Sequence, residues 1–277
     1  MVLGEPCLNL TVIIPTRNRP EQAQRRVDEL KNLNCEVIVV DDCSQTPVEV
    51  YGAKVVRNHQ RLGASESWNV GSKLANHDWL FLLSDDLVPS AGLTRFVNEL
   101  IPKLDSRDVV GFRISGVITL GTRTVQLFRN TLISRILNIL FGVDISRRTG
   151  PSRFTPSPML FHSELFASLG GFDSHTYGGN GFREESDLQW RAGRKGARLI
   201  YVEDPYFEHL NIPGGYEKRR VSANDFYYMR NQTVFALRKK SPASVVMIAA
   251  FGTYMLTRGL RLSMLVRGIA QGFAAVI

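Results

Sequence analysis

Residues 36–42 read Glu36-Val37-Ile38-Val39-Val40-Asp41-Asp42, and residues 79–86 read Trp79-Leu80-Phe81-Leu82-Leu83-Ser84-Asp85-Asp86. Each is a short apolar run that ends in two adjacent carboxylates. A run without polar alternation suits a strand covered on both faces, as in a parallel sheet flanked by helices. Leu10-Thr11-Val12-Ile13-Ile14, closed by Pro15, is another such run, and Ala53 to Val56 a fourth. Helical patterns lie between them. Pro20 to Leu33 has proline in its first turn and Ala23, Val27 and Leu30 on one face, and Ala64 to Ala75 also reads as a helix. This alternation predicts an α/β fold with a mostly parallel sheet and helices on both faces. In such sheets a ligand sits beyond the carboxyl ends of the strands, where both Asp-Asp pairs fall.

Composition narrows the class. With 277 residues, 44% of them apolar and 22% charged, the chain is large enough for a packed core and unlike a disordered segment. No run of 18 uncharged apolar residues is present, so no unambiguous spanning helix is expected. The opening MVLGEPCLNL lacks a basic stretch followed by an apolar block, so the expectation is a protein that is not secreted and works in the cytoplasm. Three cysteines (Cys7, Cys35, Cys43) without a CxxC pair exclude a disulfide framework or a Cys-rich zinc site.

The net charge of +8 is concentrated at one end. Residues 1–216 hold 24 basic and 24 acidic side chains, whereas residues 217–277 hold 10 basic ones against Glu217 and Asp225. The basic residues there alternate with apolar runs in place of aromatic stacking platforms. That pattern points away from nucleic acid and towards an anionic membrane surface.

The second half is less regular. Asp108 to Thr119 reads as a strand, and Thr131 to Phe141 as a helix with Leu132, Ile133, Ile136, Leu137, Leu140 and Phe141 in a stripe. A Pro-rich loop (Pro151, Pro156, Pro158) and the turn Tyr177-Gly178-Gly179-Asn180-Gly181 follow. A helix from about Glu184 to Lys195 then leads to a strand, Arg198 to Val202, and on to Glu208-His209-Leu210. Ala243 to Thr257 is an uncharged run of 15 residues, short of the ~20 that a span requires. An interfacial helical hairpin is the preferred reading of this tail. A packed helix pair and a tilted or incomplete span are the alternatives.

Carboxylates at strand ends suit a hard divalent cation and the hydroxyl or imino groups of a nucleotide. Neither GxxxxGK[ST] nor a GxGxxG after the first strand is present, which disfavours ordinary kinases, GTPases and dinucleotide enzymes. A phosphate-bearing ligand would then need a metal to neutralise it.

Four segments together resemble the successive motifs of family 2 glycosyltransferases: IIPTRNR (Ile13 to Arg19), VVDDCS (Val39 to Ser44), NHQRLGASESWNVGSKLANHDWLFLLSDD (Asn58 to Asp86) and FREESDLQWRAGRKG (Phe182 to Gly196). The resemblance covers roughly residues 9–212 and implies the Rossmann-like GT-A fold. The domain would occupy residues 1–216, with nucleotide-binding (about 1–105) and acceptor-binding (about 106–216) parts. Residues 217–277 would form a C-terminal helical extension. Matched to the family's motifs, Pro15, Thr16 and Arg17 would border the nucleotide base and Asp42 would hydrogen-bond it. Asp41 would be structural or near the ribose. Asp85 would lie near the ribose, and Asp86 with His209 would hold the metal, Mn2+ or Mg2+. The acceptor-activating carboxylate would come from Glu184-Glu185-Ser186-Asp187-Leu188. There Glu185 replaces the family's aspartate, leaving Glu185 and Asp187 both as candidate bases. Arg191 and Arg194 could pair with phosphate or with Asp187.

The resemblance thus implies metal-dependent, inverting transfer of a sugar from a nucleotide-diphosphate donor. The hydroxyl acceptor would be lipid-linked or a growing glycan, at the cytoplasmic membrane face. Two other classes share some of these features. A sugar-phosphate nucleotidyltransferase also carries metal-binding aspartates, but it normally has a Gly-rich basic loop after its first strand, and Pro15-Thr16-Arg17-Asn18-Arg19 has no glycine. A non-catalytic membrane-bound nucleotide-sugar module gives no reason for acids at both Asp86 and Glu185.

Overall fold

A computed structural model describes residues 8–115, 148–179, 181–210, 221–240, 243–257 and 259–276. Its central strand is β1 (Leu10–Thr16), buried along its whole length. β1 lies between β2 (Glu36–Asp41) and β4 (Trp79–Leu82), parallel to both, and β3 (Lys54–Arg57) adds to β2 in the same direction. Alternate residues face opposite layers. Leu10, Val12 and Ile14 pack with Ala23, Val27 and Leu30 of helix α1 (Pro20–Leu30). Ile13, Ile38 and Val40 pack with Trp68 of α2 (Ala64–Ser72). Gly71 sets the closeness of that second layer, because a Cβ there would stand 2.3 Å from Ile13 Cγ2.

The other half of the sheet is mixed. β8 (Met159–His162) runs antiparallel to β4, and β6 (Asp108–Ser115) antiparallel to β8. β9 (Arg198–His209) lies parallel to β6, with β5 (Leu87–Pro89) and β7 (Gly150–Pro151) antiparallel to it. The order is β3-β2-β1-β4-β8-β6-β9-β5, with β7 beside β9. β5 starts five residues after β4 ends, too few for the crossover that a parallel neighbour needs. It joins β9 at the far edge. The layers are completed by α3 (Leu93–Leu100), α4 (Ser163–Ser168) and α5 (Glu184–Arg194). β6 begins where a strand was expected, and β9 runs well beyond Val202 to His209. The last residues of the expected 108–119 strand, the Thr131 to Phe141 helix and the 216/217 boundary lie outside the described residues.

Three helices form the C-terminal part: α6 (Val221–Arg238), α7 (Ala243–Thr257) and α8 (Leu262–Ala274). α7 coincides with the uncharged run. Met229, Phe251, Met255, Leu260 and Leu265 make a small core among them. No helix among the described residues is long and apolar enough to cross a membrane. α6 is also fastened to the body: Val234 and Phe235 pack with Tyr177, and Arg238 donates to Asp187 and Asp173.

Candidate active site

A cleft of about 290 Å3 opens beyond the carboxyl ends of β1, β2 and β4. Six of the residues singled out from sequence line it: Pro15, Thr16, Arg17, Asp42, Asp85 and Asp86. Asp42 accepts hydrogen bonds from the backbone N–H groups of Leu62 (2.7 Å) and Gly63 (2.9 Å) and from Asn58 Nδ2 (3.1 Å). It therefore shapes the loop that enters α2 and forms one wall. Asp41 does not join the cleft. It is completely buried and accepts from Ser44 N, Val48 N and, at 2.7 Å, Arg57 Nη1. Of its two expected roles the geometry carries the structural one: Asp41 clamps the loop after β2.

The carboxylates after β4 form a network. Thr16 Oγ1 donates to Asp85 Oδ2 at 2.8 Å, and Ser84 Oγ to Asp86 Oδ1 at 2.7 Å. Arg19 Nη1 reaches both acids, Asp85 Oδ1 at 2.9 Å and Asp86 Oδ2 at 3.3 Å. Burial pushes the Asp85 carboxyl up to about 6, opposed by Arg19 and assisted by the neighbouring charge of Asp86. Arg26, buried within α1, donates to the Leu87 carbonyl at 2.9 Å and so pins the chain just past Asp86.

His209 comes from far along the sequence. The β5–β9 pairing sets it across from Leu87, and its Nε2 lies 3.8 Å from Asp86 Oδ2. Among the described residues no group of three or more His, Cys, Asp or Glu is gathered closely enough to hold a metal. The Asp86–His209 pair nevertheless offers one hard oxygen and one imidazole nitrogen, both partly exposed. That donor set would suit a divalent cation, which would need further ligands from a bound phosphate and water. Arg17 Nε, a buried donor without a hydrogen-bond partner, also faces this need for an anionic or carbonyl acceptor.

The acidic first turn of α5 separates into three environments. Glu184 is buried and accepts from Ser65 Oγ in the first turn of α2; burial pushes its carboxyl up to about 8. Glu185 keeps part of its surface open, yet protein closely surrounds its carboxyl and pushes it up to about 7. Ser157 lies beside it without regular hydrogen-bond geometry. Asp187 is completely enclosed, held by Arg191 Nε (2.7 Å), Arg238 Nη1 (3.2 Å) and the Tyr177 hydroxyl (3.1 Å). An acid so surrounded has no open side for an acceptor. It is a brace between α5 and α6. Arg191 is committed to Asp187 and to the carbonyls of Leu169 and Gly171.

Two features were not read from sequence. Arg19 stood inside the IIPTRNR motif, but nothing local marks it as the partner of carboxylates 66 and 67 positions away. The Glu184–Ser65 link joins segments 119 residues apart and leaves no periodic signal.

Residues 11–160 match the sequence profile described as Glycosyl transferase family 2, and the chain belongs to that family. It is 28% identical over 208 residues to a pre-mycofactocin glycosyltransferase of Mycobacterium tuberculosis, covering 70% of this chain and 41% of that one. Over 85 residues it is 39% identical to an uncharacterized glycosyltransferase of Haemophilus influenzae, covering 28% and 29% of the two chains. It thus spans less than half the length of these curated relatives. S. aureus TarS 1-349 in complex with UDP-GlcNAc superposes with a TM-score of 0.63 at 17% identity, over 98% of this chain and 82% of that one. The mannosyltransferase PcManGT from Pyrobaculum calidifontis, in complex with GDP-Man and Mn2+, gives a TM-score of 0.56 at 17% identity, over 96% and 73%. These likenesses establish the GT-A fold.

Proposed function

We propose that the protein is a metal-dependent inverting glycosyltransferase that moves a sugar from a nucleotide-diphosphate sugar to a hydroxyl acceptor. The observation that carries this reading is an acidic pair at the strand ends, with a second acidic turn fastened to the helix entry that walls the same cleft. Asp85 and Asp86, with His209 and a cationic rim of Arg17, Arg19 and Arg61, lie at the strand ends, and the Glu184–Glu185 turn is tied to the entry of α2 beside them.

In this reading Asp42 and Arg17 bind the nucleoside, and Asp85 faces the ribose. Asp86 and His209 would hold Mn2+ or Mg2+, which when bound stabilises the charge of the departing diphosphate. Arg61, also on the cleft, adds cationic charge for the phosphates. Glu185 takes the proton from the acceptor hydroxyl as its oxygen attacks the anomeric carbon from the side opposite the leaving group, which inverts that centre. A carboxyl held at about 7 is well matched to this task near neutral pH. The relatives with bound UDP-GlcNAc, GDP-Man and Mn2+ support the donor and metal classes.

The acceptor is a lipid-linked molecule or a growing glycan, presented at the cytoplasmic face of a membrane. Support comes from the C-terminal helices, where Val245, Val246, Leu256, Leu262, Val266 and Phe273 are exposed. No acidic residue occurs between residues 226 and 277. Exposed apolar and basic side chains together favour an anionic interface. The melting temperature of the full chain with a panel of nucleoside diphosphates, with and without Mn2+, tests the donor assignment. A metal-dependent rise with at least one of them is expected. No rise with any would overturn the assignment.

A further inference from the structure

A second cavity, of about 900 Å3, is bounded by β7, the start of β9, the outer face of α5 and the end of α6, and shares no lining residue with the donor cleft. Its walls are firmly held. β7 pairs with β9 at Gly150–Tyr201 and Pro151–Ile200, and Gln189 both accepts from Thr155 N (2.6 Å) and donates to Thr155 O (2.8 Å). Apolar surface comes from Phe154, Trp190, Leu199 and Ile200.

The charged groups are all of one sign. Arg153, Arg194, Arg198 and Lys239 line the cavity, and no acidic residue does so among the described residues. Arg198 is neutralised by Asp108 at 2.7 Å. Arg194 and Lys239 form no salt bridge with a described residue. Instead they lie over aromatic rings, Arg194 at 5.3 Å from the Trp190 centroid and Lys239 at 5.7 Å and 5.2 Å from Phe154 and Phe235. Burial, with the positive charges of Arg183 and Arg153 nearby, holds the Lys239 ammonium below its ordinary range.

We propose that this cavity binds a phosphate-bearing ligand, with the phosphate between Arg194 and Lys239 and an apolar or planar portion against Trp190 and Phe154. Its size is that of a small-molecule site, and its lining pairs apolar walls with a few convergent polar groups. An anion there would form charge-assisted hydrogen bonds to Arg194 and Lys239. The source of the phosphate is either a soluble molecule or a lipid headgroup. Lys239 leads directly towards α7, on the part of the chain that carries the exposed apolar residues.

Trp190 supplies the readout, since Trp68 and Trp79 are buried in the body of the domain. The full chain is titrated with inorganic pyrophosphate without divalent metal, and separately with phosphatidylglycerol vesicles against phosphatidylcholine controls. A saturable change in emission is expected, absent in Trp190→Phe and retained in Asp86→Asn. In Arg194→Gln/Lys239→Gln the affinity should fall roughly tenfold or more, the scale of losing hydrogen bonds to charged groups. A response to pyrophosphate assigns a soluble ligand, and a response confined to phosphatidylglycerol assigns the headgroup. Parent-like affinity in the double variant, or no response to either probe, overturns the proposal. Because Arg194 is exposed, Arg194→Gln alone is the safeguard against misfolding, and a weakened response with an unchanged melting temperature is expected from it.

Discussion

Arg19 Nη1 lies 2.9 Å from Asp85 and 3.3 Å from Asp86, so one guanidinium holds together two adjacent carboxylates at the end of β4. Its side chain is only 10% exposed. Arg19 thereby supplies the positive charge that two neighbouring acids require, at the place proposed for a divalent cation. Removing it should leave those acids uncompensated. Arg19→Gln is expected to lower stability by about 3 kcal/mol, the scale for breaking a buried pair. The same variant should bind Mn2+ roughly tenfold more tightly without nucleotide, since a competing charge has gone. Denaturant unfolding and Mn2+ calorimetry check the two effects, and unchanged metal affinity would show that Arg19 and the cation do not compete.

Glu185 and Asp187, two residues apart, should respond differently to loss of charge. Glu185→Gln is expected to bind donor normally while transfer falls by ~10²-fold or more, the scale of a lost general base. Asp187→Asn should mainly destabilise, by about 3 kcal/mol, because Arg191 and Arg238 lose their shared acid. Single-turnover rates beside melting curves separate the two. Full activity in Glu185→Gln would move the base elsewhere.

The pH dependence follows from the same turn. Glu185 must be unprotonated to accept a proton, and its carboxyl is pushed up to about 7. The transfer rate should therefore rise as pH increases through about 7. Glu184 has a stability consequence of the opposite direction. Its carboxyl is raised from 4.5 to about 8 in the folded protein, so the stability it contributes is fully present below about 4.5 and is lost as pH rises through about 8. Glu184→Gln should reduce that loss between pH 5 and 8. A parent and variant with the same pH–stability slope would contradict the burial of an uncharged Glu184.

Membrane docking is best tested without deleting helices, because α6 braces Asp187 and α8 packs on α6. Serine replacements at Val245, Val246, Leu262 and Val266 remove exposed apolar surface only. The parent should float with phosphatidylglycerol vesicles, less so at high salt as screening weakens the basic contribution. The variant should float poorly while keeping its melting temperature. Equal flotation would exclude this face.

Much of the fold is legible in unbroken apolar runs. Glu36 to Val40 and Trp79 to Leu82 are central parallel strands, and Ala243 to Thr257 is a helix along its whole length. The cleft lies where the paired aspartates predict, because a parallel sheet leaves its carboxyl ends open. The mixed half was hidden for physical reasons. Leu87-Val88-Pro89 and Met159 to His162 are too short to display a period, and their direction depends on partners far along the chain. The enclosure of Asp187 was likewise invisible: an acid in a first helical turn reads the same whether it faces water or, as here, an arginine 51 residues away.

The most direct test of the account is turnover of labelled nucleotide sugars by the full chain with Mn2+, compared with Asp86→Ala and with chelator. Release of nucleoside diphosphate and transfer of sugar are expected from at least one donor, lost on chelation and lost in Asp86→Ala while the variant's melting temperature stays near that of the parent. Turnover that proceeds equally in Asp86→Ala, or no turnover with any donor, would contradict it.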